Sequence, residues 1–398
     1  MAGLPTFNLI KLDNQLGNVL QLDDSRVAML GFGPATTGAG ALALATPMLG
    51  NTLADFEARG LTAAYDTANS TNVHAELKEF YRVVQRRPLY FMLVTQATTL
   101  TQALDPTNTT AGAARLLDFV NGNAILSANR RPPGAYNPTY TDGVDPDVVT
   151  AVANAKLLRD AYVAKLRPCT VVVGGRGLKG QLANVQNLDG TGEGVFVNLL
   201  GVAASSLEAN NGLVLGWVAR SAVHERQSKT ERGPIPVPTT QAYLTNGLTA
   251  ETAEAAWTTL HNRGFVFPRT FPLQAGYYLS SDRTAASSSS DFLYLSACRV
   301  MDKALVLTYL ALFNLIDQDH FLEAATGQLP TGTKRVLEGD AVARVLGQMA
   351  LNVSSLTVTI EDETDLLGAE TFVVRLAVQP KGYSSQVTLR FGFSRTTA

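Results

Sequence analysis

The sequence predicts an α/β layer followed by an α+β layer, with extended segments at both ends. Three observations point there. Between residues 26 and 173, short apolar runs alternate with amphipathic helical stretches, as when strands cross over through helices into a mostly parallel sheet. Beyond Gly264 the order becomes two short aromatic strands, a serine run, a long helix, a second helix, and strands that alternate apolar and polar residues. Both chain ends lack a helical pattern but carry apolar-rich strand candidates. The chain therefore divides into an arm over 1–22, an α/β domain over 23–263, an α+β domain over 264–383 and a second arm over 384–398.

In chain order, residues 7–12 are a candidate strand and 14–17 a turn. Residues 26–32 (RVAMLGF) read as a buried strand, followed by a Gly/Ala/Thr-rich connection. A helix over 74–87 places Leu77, Phe80, Tyr81 and Val84 on one face, and Pro88 ends it. Strands at 89–95, 124–128 and 169–173 flank helices at 111–120 and 147–166. The latter helix presents Val148, Val152, Ala155, Leu158 and Tyr162 on one side. The proline-rich residues 129–146 form a loop. Apolar runs at 196–208 and 212–224 read as two Gly-interrupted helices, and 225–238 as a loop. Thr249 can cap a helix over 250–263, with Gly264 at its end. Strands at 265–270 and 275–279 lead through Ser287–Ser290 into the longest helix, about 291–317, roughly 39 Å long at 1.5 Å per residue. An amphipathic helix at 334–351 and strands at 355–360, 371–379 and 385–395 complete the chain.

A chain of 398 residues can hold two or three domains. Net charge is −2, which argues against nucleic acid or an anionic membrane as partner. Charged residues make up 17%, below the roughly 25% usual for soluble proteins, which fits a chain that buries surface against other subunits. Cys169 and Cys298 lie in apolar runs and read as buried thiols rather than a disulfide framework. The N-terminus lacks a basic region followed by an apolar core, and residues 304–316 are too short to span a bilayer. Cytoplasmic synthesis and assembly are expected, without membrane insertion.

Candidate chemistry is sparse. Gly175, Gly177 and Gly180 form a G-x-G-x-x-G after a strand, the pattern that lets a helix N-terminus approach a pyrophosphate. The stretch available for a following helix is short, and Asp189 and Glu193 fall too early for the ribose carboxylate, so a Gly-rich strand-to-helix turn is the better account. His74, His224, His261 and His320 are scattered, without zinc-helix spacing. The acidic residues 361–365 join two strands and read as a solvated hairpin loop. Arg299, Asp302 and Lys303 stand on an otherwise apolar helix, with Asp302 able to pair with Arg299 one turn back. No catalytic residue, metal ligand or cofactor is assigned.

The arms remain. Phe7, Leu9 and Ile10 at one end, and Val387, Leu389 and Phe391 at the other, are regular apolar strand positions that invite pairing. Each arm either completes its own sheet or adds a strand to a neighbour.

Phe267-Pro268-Arg269, Gly276-Tyr277-Tyr278-Leu279, Ser281-Asp282-Arg283-Thr284, Asp291 and Arg299-Val300-Met301-Asp302-Lys303-Ala304 resemble, in that order, the C-terminal domain of contractile tail sheath proteins. Gly327-Gln328-Leu329 and Pro380-Lys381-Gly382-Tyr383 extend the match. Val214-Leu215-Gly216 and Val223-His224-Glu225 are similar to a compact subgroup found in phages and phage-like injection systems. The resemblance covers most of residues 212–398, and the serine run is longer than the usual gap.

The resemblance implies an α/β outer domain and an α+β inner domain. It also implies stacked six-subunit rings around an inner tube, arms that donate strands to adjacent subunits, and contraction that drives the tube outward. Implied partners are further copies of the chain, a tube protein, and baseplate and terminator proteins. The setting would be a phage tail or phage-like particle, released from or anchored in the cell. Lys334, Arg335 and Arg344 are candidate tube-facing cations, against a solvated helix face as the alternative. The competing readings are a nucleotide-dependent oxidoreductase using the 175–180 turn and a static tail tube or capsid protein.

Overall fold

The computed structural model describes residues 25–388, apart from 39, 135, 325, 362, 363, 365, 369 and 370. Strands β1 (Arg26–Phe32), β2 (Met48–Gly50), β3 (Leu89–Val94), β4 (Ala124–Ala128), β5 (Cys169–Gly174) and β6 (Val195–Asn198) build most of one sheet. Leu200–Gly201 (β7) pairs with Tyr243–Leu244 (β8) beside it, and Phe265–Val266 (β9) closes the far edge. The order is β2-β3-β1-β4-β5-β6-β9. All pairs are parallel except β2 with β3.

The strand pleat assigns alternate residues to two cores. Ala28, Leu30, Phe32, Met92, Val94, Leu126, Val171, Val173 and Val197 enter one cluster. Val27, Met29, Leu89, Phe91, Leu93, Ile125, Val172 and Phe196 enter the other. The first face is covered by α4 (Leu100–Ala103), α5 (Ala113–Val120), α6 (Pro146–Ala164) and α8 (Trp257–Asn262). The second is covered by α1 (Leu53–Glu57), α2 (Ala63–Asn69), α3 (Val73–Val84) and α7 (Asn211–Ala219). Every residue of α7 is buried. It packs tightly on α3 because Gly212 and Gly216 lack side chains; a Cβ at Gly212 would sit 2.0 Å from the Glu76 carbonyl oxygen.

A third core follows. Strand β10 (Pro268–Phe271) pairs antiparallel with β11 (Gln274–Leu279), and the chain then enters α9 (Leu295–Leu312). Helix α10 (Thr331–Met349) and the antiparallel pair β12 (Val353–Ile360) and β13 (Val374–Pro380) complete the described fold. Val300, Ala304 and Leu307 of α9, Ala341, Val345 and Met349 of α10, and Val353, Leu356 and Val358 of β12 form its interior. Mixed α/β architecture with a parallel-rich sheet is thus present. The sheet runs one strand past Gly264, since β9 pairs with β6.

Several expected elements differ. The run 196–208 is not a helix; its first part is β6 and β7, because VFVNLL sits between parallel strands and is buried on both faces, where β-branched residues pack well. The helix expected over 250–263 is a turn, a 3₁₀ segment Glu254–Ala256 and the short α8. The helix expected from Asp291 begins at Leu295, because Tyr294 is extended and bridges Arg283 while Thr284 N–H donates to the Leu293 carbonyl. At 18 residues it is shorter than α6 and α10, with 19 each. Residues 385–388, the start of the expected last strand, are not in a strand; the rest of that strand, and the one expected at 7–12, lie outside the described residues.

Candidate functional site

Of the motif residues, Asp282 sits at the N-terminal end of α9, and Arg299, Asp302 and Lys303 lie along that helix. Gly276 has φ +88°, and a Cβ there would meet Pro234 at 2.5 Å, so the β11 turn geometry requires glycine. Asp282 is fully buried. Its Oδ2 accepts the Ser296 N–H at 3.1 Å and its carbonyl accepts the Leu295 N–H at 2.8 Å, so it caps α9 from outside the helix. Its Oδ1 faces Arg226 Nη1 at 3.5 Å. Burial pushes the Asp282 carboxyl above its usual range, with Arg226 pulling the other way.

Arg226 is held between two rings, its Cζ 3.3 Å from the Tyr294 centroid and 4.5 Å from that of Tyr383. Tyr383 also donates its hydroxyl to the His224 carbonyl. Arg283 pairs with Asp189, and Asp291 is exposed in the turn before α9.

The three polar residues of α9 go in different directions. Asp302 does not pair with Arg299. It makes a bidentate bridge to Arg159 of α6, with both Nη–Oδ distances 2.8 Å and both side chains buried. The geometry favours this because Arg159 projects from α6 onto α9 and also donates to the Cys169 carbonyl. Arg299 instead donates to Ser221 Oγ at 3.0 Å, the Ser221 carbonyl at 3.1 Å and Ser25 Oγ at 3.3 Å. Lys303 Nζ reaches Asn352 Oδ1 at 3.3 Å. These are structural ties between cores, and no substrate-facing acid–base pair results.

The 175–180 turn is closed by its own side chain. No α-helix follows it, only the 3₁₀ segment Leu182–Asn184, so it is not the expected strand-to-helix turn. Arg176, 1% exposed, lies across the carboxyl ends of the strands. There it binds Asp145 at 2.8 Å, Asp147 at 3.1 Å and the Arg130 carbonyl at 2.8 Å. A pyrophosphate would need that space and would meet two carboxylates. A neighbouring cleft of about 670 Å³ is lined by residues including Asn72, Glu76, Arg131, Glu208 and Asn210. Burial pushes the Glu76 carboxyl up to about 8, although Asn129 and backbone N–H groups donate to it. Cys169 and Cys298 are free and buried, which pushes both thiols up to about 12 and makes them inert. No group of three or more His, Cys, Asp or Glu suited to a metal occurs among the described residues. No helix there is long and apolar enough to cross a membrane.

Surfaces for association are clearer than any pocket. The large sheet ends in a three-residue strand and a two-residue strand, which blunts both edges. By contrast β12 and β13, of eight and seven residues, pair only with each other among the described residues. Two strands are marginal alone, and here each leaves one long edge without a strand partner. Val387 is exposed beyond β13; Leu389 and Phe391, like Phe7, Leu9 and Ile10, lie outside the described residues. On α10, Lys334 is half-buried, Arg335 exposed, and Arg344 exposed with Asp340 at 2.8 Å, so part of the expected cationic face is neutralised.

Sequence reasoning placed Tyr383 in the family motif without a partner, and missed Arg226, Arg159 and Glu76. The last two carried a signal. Arg159 lies four residues after Ala155 and seven after Val152, and Glu76 lies three after Val73 and four before Phe80. A charge on an apolar helical stripe marks a buried partner. Nothing local linked Arg226 to Tyr383, since their pairing spans more than 150 residues of chain.

The DUF2586, N-terminal domain, family matches residues 4–283. No curated protein matches the chain in sequence. Among solved structures, a chain of the anti-feeding prophage baseplate aligns at 12% identity with TM-score 0.60, covering 98% of this chain and 100% of that one. A chain of an extracellular contractile injection system, the PVC sheath complex in its contracted state, aligns at 11% identity with TM-score 0.50, covering 99% of each. The sheath tail protein of Desulfitobacterium hafniense aligns at 11% identity with TM-score 0.49, covering 95% and 100%. At such identities the likeness is one of fold alone.

Proposed function

We propose, from the premise that this chain belongs to the DUF2586 family, that it is a structural subunit of a contractile sheath. What carries the reading is the extent of the likeness, which spans 98% of this chain and the whole of the anti-feeding prophage baseplate chain, and 99% both of this chain and of the PVC sheath chain. Six subunits form a ring, rings stack around an inner tube, and contraction of the stack drives the tube through a target envelope. The work comes from subunit contacts that rearrange between two lattices while the strand connections persist.

In this reading the open edges of β12 and β13 receive the terminal arms of neighbouring subunits, with Phe7, Leu9 and Ile10 from one and Val387, Leu389 and Phe391 from another. Main-chain pairing supplies a link that survives rearrangement because it does not depend on one side-chain packing. Tube, baseplate and terminator proteins are the further partners, Lys334, Arg335 and Arg344 the candidate tube contacts, and assembly takes place in the cytoplasm. The role is non-enzymatic. The Arg176 ion network fills the place a nucleotide would take, which disfavours the oxidoreductase.

Deleting residues 382–398 tests the arm assignment. The truncated subunit is expected to remain folded and soluble but to form no sheath; normal tubes from it would refute strand donation. One neighbour is described as a baseplate, which favours a second reading in which the chain forms a single baseplate-level ring. Isolated rings that never stack would select that reading.

A further inference from the structure

Both ends of the described fold are tied to one partly buried loop. Residues 221–226 follow α7 and run between the first two cores and the third. On the N-terminal side, Arg299 donates through Nη1 to Ser221 Oγ at 3.0 Å and the Ala222 carbonyl at 3.4 Å. Through Nη2 it reaches the Ser221 carbonyl at 3.1 Å and Ser25 Oγ at 3.3 Å. Ser25 is 2% exposed, and its carbonyl accepts Arg87 Nη2 at 3.1 Å. The chain thus enters β1 from a point held by the same guanidinium that grips the loop.

On the C-terminal side the loop supplies both partners of Tyr383. The His224 carbonyl accepts its hydroxyl, and the Arg226 guanidinium stacks on its ring at 4.5 Å while lying 3.3 Å from Tyr294. The loop is itself braced by His224 Nδ1 against Asn352 Nδ2 at 2.9 Å, just before β12, and by Arg226 against Asp282 at 3.5 Å. Gln227 Nε2 donates to Ser221 Oγ at 2.9 Å and to the Glu225 carbonyl at 3.1 Å, closing the loop on itself. Beyond Tyr383 the chain is exposed through residue 388.

We infer that residues 221–226 are a shared clamp in which Arg299 fixes the departure of the N-terminal segment at Ser25 and Arg226 fixes that of the C-terminal segment at Tyr383. A segment that leaves a fold from a root held by several contacts starts in a set direction, which lowers the conformational search before it pairs with a neighbour. Holding both roots on one loop sets the two directions relative to each other, and a shift of the loop moves both. Arg226 and Arg299 are positioning residues for the arms. This role rests on the sheath reading, whereas the physical coupling of the two roots does not.

The experiment uses the full chain and two mild substitutions, Ser25→Ala and Tyr383→Phe, which remove one hydroxyl each and should leave the fold intact. Urea unfolding of the parent, both single variants and the double variant gives a thermodynamic cycle. Independent roots would give multiplicative effects on the folding equilibrium; a shared clamp is expected to make the double variant depart from that product by about threefold or more. Hydrogen exchange supplies the crossed readout. In Tyr383→Phe, the Arg26 amide, which donates to the Asn123 carbonyl at 2.9 Å, is expected to exchange about five times faster, because loosening the loop loosens Ser25. A cycle closing within experimental error, with exchange changing only beside each substitution, would overturn the clamp. Arg226→Lys keeps charge but loses the planar stack, and is expected to raise exchange at the Arg26 amide as well. These measurements are made on the unassembled subunit, so the clamp can stand when the sheath reading fails, and a correct sheath reading does not rescue an absent clamp.

Discussion

Glu76 shows how one side chain can set a pH dependence for the whole subunit. It sits on the α3 stripe that packs against α7, where two glycines bring the helices close and exclude water. Its Oε1 accepts from Asn129 Nδ2 at 2.8 Å and from the Asn211 N–H at 3.3 Å, while Oε2 has no hydrogen-bond partner. Burial raises the carboxyl from 4.5 to about 8, so the folded protein keeps a proton that the unfolded chain releases. The contribution is fully present below about 4.5 and is lost as pH rises to about 8. Between those values the loss runs at up to roughly 1.4 kcal/mol for each pH unit. Stability at pH 8 is therefore expected to be lower than at pH 5, and Glu76→Gln should remove most of that difference. Thermal melts of both proteins across this range check it; parallel curves would place the proton elsewhere.

At the scale of elements, α9 joins the third core to the first. Cap, bridge and clamp come from different parts of the chain: Asp282 at its first turn, Arg159 at its middle, and the 221–226 loop beside Arg299. The Arg159–Asp302 bridge is buried on both sides, so Asp302→Asn leaves a guanidinium without its counter-charge. A loss of about 3–5 kcal/mol is expected. Replacing the pair with Met and Leu should recover much of it, since two buried charges cost desolvation that apolar side chains avoid. Urea unfolding of the parent and the two variants reads this directly, and a loss below about 1 kcal/mol for Asp302→Asn would mean that the bridge is not buried in solution.

The same helix shows what is legible beforehand. Its apolar character and its odd polar trio are visible in the sequence, because helical spacing is local. Their partners are not, because Arg159 and Ser221 reach α9 only through the fold. The strands 26–32 and 124–128 are legible to the residue, being apolar runs with sharp breakers. The 196–208 run misleads because a strand buried on both faces loses the alternation that separates strand from helix. The short stretch after the G-x-G-x-x-G argues against a nucleotide site, yet nothing local indicates that its own Arg176 fills the space.

For the whole molecule, two sheets contrast in their edges. The seven-stranded sheet is closed off by short edge strands and covered by helices, as befits a rigid body. The two-stranded sheet is long, thin and unpaired along its outer edges among the described residues. A monomer has little use for such an edge, while a polymer held together by main-chain pairing requires one. Adding strands there would leave each rigid body free to turn about its connections, which is the mechanical demand of a sheath that changes lattice without coming apart. The most direct measurement is electron microscopy of the full chain purified alone and together with the tube protein that the proposed sheath role requires. Hollow tubes or stacked sixfold rings are expected, in at least one of the two preparations; monomers persisting under every assembly condition would contradict the account.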